Sequence, residues 1–195
     1  MQWLESLLII GGVSLDIFAT MECQGSVVAK IEKRGLAFIS CLVCIWQLTA
    51  FSAGSFLASF LLQGEEFAEK EQFIGDGIAV IIYVGLGIHL IMKAVRNEKI
   101  NEHREDSFNR KSIRNGMVGV GGYTLLAGIA FEFAESGRLF CMAAIVILSV
   151  LAVIAGTYTG YHYGFAPRRK AYGIGGVLLW IAGIESLTAA LRQIF

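Results

Sequence analysis

Residues 139–163 read LFCMAAIVILSVLAVIAGTYTGYHY, 25 residues without an Asp, Glu, Lys or Arg. A helix needs roughly 20 mostly apolar residues to cross a hydrocarbon core about 30 Å thick. The run is continuously apolar, with none of the alternation of a barrel strand, so it predicts a spanning α-helix. Five further stretches meet the same length: about 3–27, 36–62, 73–95, 116–137 and 171–195. Together the six take up most of the 195 residues and leave no room for a soluble domain. Charged residues make up 16% of the chain, against about a quarter in soluble domains. The expected fold class is an all-α membrane protein of six transmembrane helices.

The opening MQWLESLL has Glu5 and no Lys or Arg before its apolar run, unlike a cleavable signal. Pro167, the one proline, is expected in a loop, so no helix should kink at proline. The 23 glycines are spread through the helices, where small residues allow close backbone approach. A formal net charge of zero suggests no nucleic-acid partner. Cys41 and Cys44 form a C-x-x-C inside an apolar helix, without the polar setting or second pair of a zinc or redox site. They read as packing residues.

The basic residues set the orientation. Lys30, Lys33 and Arg34 lie after the first helix. Lys93, Arg96, Lys99, Arg104, Arg110, Lys111 and Arg114 lie after the third, and Arg168, Arg169 and Lys170 after the fifth. The connection after the second helix carries Glu65, Glu66, Glu69 and Glu71 against Lys70. Odd connections are therefore expected inside and both termini outside, with the charged third connection as a flexible linker.

The two halves look alike. GGVSLDIFATMECQG in helix 1 faces GGYTLLAGIAFEFAESG in helix 4, and Ala53-Gly54-Ser55 faces Ala155-Gly156-Thr157. Gly77-Ile78 and Gly87-Ile88 in helix 3 face Gly173-Ile174 and Gly183-Ile184 in helix 6. Three crossings per copy would invert the second relative to the first. The expected organisation is a three-helix repeat over 1–95, a linker over 96–115 and an inverted repeat over 116–195, with a substrate site where the halves meet.

Ionisable residues deep in a bilayer cost at least ~2.5–3.5 kcal/mol and are functional candidates by default. Asp16 lies midway along helix 1, and Glu22 points to a different face of it. Glu132 and Glu135 share a face of helix 4. Asp76, Glu185, His89 and His162 are weaker candidates, being nearer interfaces or neutral, and His103 falls in the charged linker. Gln47 in helix 2 offers an amide oxygen or a bond to a neighbouring helix. No Lys or Arg is expected deep enough to neutralise these acids, which would then be protonated, hydrated or bound to a cation. Carboxylate and carbonyl oxygens favour ions such as Mg²⁺, Ca²⁺ and Mn²⁺.

Ser14-Leu15-Asp16-Ile17-Phe18-Ala19 resembles the S-[LM]-D-A-F-A motif opening the manganese efflux pump family (MntP), within the LysE-like transporter superfamily. Trp46-Gln47 followed by Gly54 is similar to that family's F-Q-x-x-M-P-x-x-G. Gly160-Tyr161 through Gly175-Gly176 to Gly183-Ile184 resembles its G-x-x-x-G…GG-x-x-L-x-x-x-G-I ending. The resemblance implies a multi-pass protein of the bacterial inner membrane that exports Mn²⁺ through acids of helices 1 and 4. Asp16 carries over directly. The family's T-S-I-D-A-L-A-V-G run in helix 4 does not. Matching Phe18-Ala19 to Phe133-Ala134 puts Phe131 opposite Asp16, with Glu132 one position later and about 100° round.

The expected function is therefore secondary export of a divalent cation, most readily Mn²⁺, bound by Asp16 and Glu132 with help from Glu135 and Gln47. A carboxylate that takes up a proton on the return step would give cation/proton exchange. No Walker A motif or H-E-x-x-H is present, so neither ATP-driven transport nor a zinc protease is suggested. No bound cofactor is expected, the metal being cargo, and a homo-oligomer is compatible with the reading. The alternatives are a carrier of another small solute, such as an amino acid, and a non-transporting scaffold of the same fold.

Overall fold

The computed structural model describes residues 2–62, 71–95, 110–133, 138–164 and 166–192. They form six helices: α1 (Gln2–Val27), α2 (Lys33–Leu62), α3 (Glu71–Val95), α4 (Arg110–Phe133), α5 (Arg138–Tyr163) and α6 (Ala166–Arg192). No strand occurs among the described residues. The helices run from 24 to 30 residues, or about 36–45 Å at 1.5 Å per residue. Five are both long and apolar enough to span a bilayer. The sixth, α4, carries charge at its two ends, Arg110, Lys111 and Arg114 against Glu132, around an uncharged glycine-rich middle.

Two boundaries differ instructively from the apolar runs. α4 begins at Arg110, within the stretch expected to be linker, because charged side chains at a helix end can reach water without breaking the backbone ladder. The rest of that linker lies outside the described residues. α6 begins at Ala166 and takes in Pro167, expected in a loop. In the first turn a proline's missing N–H has no intrahelical acceptor to lose, so the residue is tolerated there. Just before it, Gly164 closes α5 with φ at +68°, its N–H donating to the Gly160 carbonyl at 2.9 Å. Glycine meets no Cβ penalty in that left-handed conformation.

The surface is that of a membrane protein. Phe56 and Ile81 are each 73% exposed, and Phe38, Ile45, Phe60, Ile147 and Leu151 also face outward. Asp16, Glu22, Gln47, Thr124 and Thr157 are buried. Water would favour the reverse arrangement, whereas lipid tails cover the apolar exterior without cost.

Helices of the first half pack mainly on helices of the second: α1 on α5 and α6, α2 on α4 and α5, and α3 on α6 and α4. Glycine allows the closest crossings. A Cβ on Gly54 would overlap the Leu125 carbonyl oxygen and press on Ile129 N, and one on Gly156 would overlap the Phe18 carbonyl oxygen and press on Glu22 N. Gly87 lies under the Trp180 indole, while Gly183 lies against Val84. Contacts of Trp46 with Met117 and of Ser59 with Glu132 make α2 and α4 parallel. The contacts of Gly87 with Gly176 and of Gly183 with Val84 make α3 and α6 antiparallel.

Candidate ion site

Asp16 lies in the middle of α1, and its side chain is 1% exposed. One carboxylate oxygen, Oδ1, accepts a hydrogen bond from Lys93 Nζ at 3.1 Å. This corrects the expectation that no basic residue reaches the buried acids. Lys93 is the third-last residue of α3, counted from the sequence among the charges of the following connection. Side chains on a helix lean toward its N-terminus, and the lysine stem carries its ammonium back into the bundle while leaving the side chain 25% exposed. Ala94 and Val95 follow it within the helix, and those two apolar residues were the available signal.

The ammonium is held by more than Asp16. It lies 4.7 Å from the centroid of the Tyr123 ring on α4 and 5.4 Å from that of Tyr172 on α6, within cation–π range of both. His89, one turn before Lys93, stacks at a tilt on Tyr123 with centroids 5.1 Å apart. Four helices thus meet around one cation. The sequence reading missed Lys93, Tyr123 and Tyr172, because aromatics in apolar helices usually read as packing.

The polar layer continues through α4. Thr124, next to Tyr123, donates its hydroxyl to Gln47 Oε1 on α2 and also lies 3.1 Å from the Val120 carbonyl oxygen. Trp46 sets Gln47 against α4: its indole Nε1 donates to the Met117 carbonyl oxygen at 2.9 Å, over Gly121, where a Cβ would strike the ring. Between α1, α2 and α4, a cavity of about 10 Å³ is bordered by Ile17, Thr20, Trp46, Gln47 and Met117. That is about one water in size.

Glu132 sits elsewhere. Its Oε1 accepts from Ser59 Oγ at 2.9 Å, on the seam of α2 and α4. It lies nine residues beyond Tyr123 along α4, about 13 Å further by helix rise. Asp16 and Glu132, expected to converge, are therefore at different depths. Glu135 lies outside the described residues, as do His103 and the Asp76 side chain. Glu22 is fully buried, with Gly156 and Gly160 of α5 against its backbone. His162 is exposed at the end of α5, where its Nδ1 lies 3.0 Å from the Tyr158 carbonyl oxygen. Cys41 and Cys44 are free, the first exposed and the second buried against α5 with its thiol donating to the Val146 carbonyl oxygen at 3.8 Å. Among the described residues, no three His, Cys, Asp or Glu side chains gather into a metal-binding group.

A bundle of spanning helices with an apolar exterior, and a buried carboxylate where four helices meet, defines a multi-pass membrane protein with a charged centre. A family profile described as "Putative manganese efflux pump" matches residues 30–187, and the chain belongs to that family. Proteins named "Putative manganese efflux pump MntP" resemble it over nearly their whole length. That of Acetivibrio thermocellus is 26% identical over 187 residues, covering 96% of this chain and 91% of the relative. That of Desulfitobacterium hafniense is 27% identical over 184 residues, covering 94% and 93%. That of Methanoregula boonei is 26% identical over 191 residues, covering 98% and 99%. No solved structure matches the chain.

Proposed function

We propose that this protein is a secondary transporter that exports a divalent metal cation, with Mn²⁺ the first candidate. Family membership supports metal efflux and points to transport rather than enzymatic chemistry. The observation that carries the site is Asp16: a carboxylate 1% exposed, in contact with a cation, at the meeting of helices from both halves. Burying a charge at that depth is costly unless a cation accompanies it. Gln47 and Thr124 supply neutral oxygens in the adjoining layer, as a hard cation prefers. Glu132 is read as part of a vestibule on the path to the outer face.

The two halves are read as inverted repeats, with both termini outside. The reciprocal glycine contacts support the inverted repeat, and the basic residues of the odd connections support the orientation. Gly54 meets Leu125 and Ile129 as Gly156 meets Phe18 and Glu22, and Gly87 meets Trp180 as Gly183 meets Val84. These pairs keep the expected matches of Gly54 with Gly156 and Gly87 with Gly183. We read from them a different register of α1 on α4. Phe18 now corresponds to Leu125, so Asp16 corresponds to Tyr123 rather than Phe131. The nine residues set against the family's T-S-I-D-A-L-A-V-G become 120–128, VGGYTLLAG, with tyrosine in the acidic place.

One observation favours a second reading. A zwitterionic solute such as an amino acid needs a cation for its carboxylate and an anion for its ammonium, and Lys93 and Asp16 offer both. Uptake into proteoliposomes, measured in parallel for Mn²⁺, Mg²⁺, Ca²⁺, Zn²⁺ and a panel of labelled amino acids, separates the two. Saturable flux of Mn²⁺ above the other ions is the expected result. Amino-acid flux without metal flux would replace the proposal with the second reading.

A further inference from the structure

A carrier that returns empty must take its binding groups across the membrane without cargo. A lone carboxylate resists this, because the uncompensated charge has to pass through the low-dielectric centre. Such a carrier exchanges one cargo ion for another far more readily than it moves cargo in one direction. Here the binding carboxylate has a cation built into the chain.

Two observations put that cation where cargo would sit. Its Nζ is 3.1 Å from Asp16 Oδ1. It also lies 4.7 Å from the centroid of the Tyr123 ring, the residue that the proposed repeat register matches with Asp16. The ammonium therefore contacts two corresponding positions of the two halves, where an ion shared by them would be bound. It is also mobile in principle: the side chain is 25% exposed, near the end of α3, on a four-carbon stem that can swing toward water. The face of Tyr172, 5.4 Å away, gives the ammonium a second resting place on α6.

We propose that the Lys93 ammonium is a tethered counter-cation that neutralises Asp16 in the unloaded protein and withdraws when a divalent cation binds. The unloaded protein can then reorient, and transport is net efflux rather than exchange alone. This rests on the metal-export reading above. It makes Lys93 a positioning residue of the transport cycle, and it also makes Lys93 a competitor of the cargo for Asp16.

Two transport modes of purified protein in liposomes test it. Net flux is Mn²⁺ entry into vesicles that contain none. Exchange is entry of radioactive Mn²⁺ into vesicles loaded with saturating unlabelled Mn²⁺. Wild type should perform both. Lys93→Met should lose net flux by at least about tenfold, since the return of a carboxylate without its counter-cation is obstructed, while exchange stays within about threefold. Lys93→Gln should behave alike, and Lys93→Arg, which keeps a cation, should retain both modes. Apparent affinity for Mn²⁺ in the exchange mode should rise in the Met and Gln variants, because the competitor is gone. Net flux in Lys93→Met equal to wild type would overturn the inference, as would equal loss of both modes in variants that elute as folded protein. Absence of both modes in wild type would instead remove the metal-export reading and this inference with it.

Discussion

Asp16 and Glu132 are both carboxylates on spanning helices, and the bundle treats them differently. Asp16 is sealed among four helices and held by an ammonium flanked by two aromatic rings. Glu132 is half-buried and accepts a hydrogen bond from a serine hydroxyl on the neighbouring helix. An acid buried at the centre of the bundle calls for an opposite charge. Under the proposed function, Asp16 is the binding group and Glu132 a path group. Carboxylate count alone, which had grouped the two as one ion site, does not make that division.

Substitutions can break this comparison or sharpen it. The largest effect is expected at Asp16: Asp16→Ala should bring Mn²⁺ flux in proteoliposomes to background, while the protein stays extractable as a monodisperse species. Next come the backbone crossings. Gly156→Val and Gly54→Val each force a side chain into a carbonyl of the facing helix, and overpacking of this kind costs about 1–3 kcal/mol or more. Thermal unfolding in detergent should shift downward for both, by comparable amounts if the two crossings are equivalent. A large shift at one position with none at the other would break the proposed symmetry of the halves.

A smaller effect is expected at Gln47→Leu, which removes the bond to Thr124. Interhelical hydrogen bonds in membranes are worth about 0.6 kcal/mol and up to about 1.7, so thermal unfolding in detergent should shift downward by less than in the glycine variants. The smallest belongs to Glu132→Gln, which keeps an acceptor for Ser59. Flux should remain within about twofold of wild type, given how little a partly exposed polar contact contributes. If Glu132→Gln proved as damaging as Asp16→Ala, the division into binding group and path group would be wrong.

The spans of the helices were legible because lipid imposes one requirement, a long apolar run, that composition displays directly. Legibility failed where a side chain's reach matters more than its place in the chain. Lys93 was grouped with loop charges because the apolar run ends two residues after it, yet its stem turns back to Asp16. Asp16 and Gln47 were found, since each is a polar residue in an apolar run. Their neighbours Tyr123 and Tyr172 were not, since a tyrosine beside a cation has the same letter as one in packing. The register of α1 against α4 was lost for another reason. Both helices repeat Gly, Ala and Phe often enough to align at several offsets, and only the proposed symmetry of the backbone contacts at Gly54 and Gly156 selects among them. Pro167 shows the same limit, because in a helix's first turn and in a loop it looks identical in sequence.

The central claim is that Asp16 is the carboxylate that carries the ion. It is tested most directly by Mn²⁺ flux through wild type and Asp16→Asn reconstituted side by side, the asparagine keeping size and polarity while removing charge. The account predicts saturable flux in wild type and background flux in the variant, with both proteins equally folded. Wild-type flux retained in Asp16→Asn would contradict it and move the ion site elsewhere in the bundle.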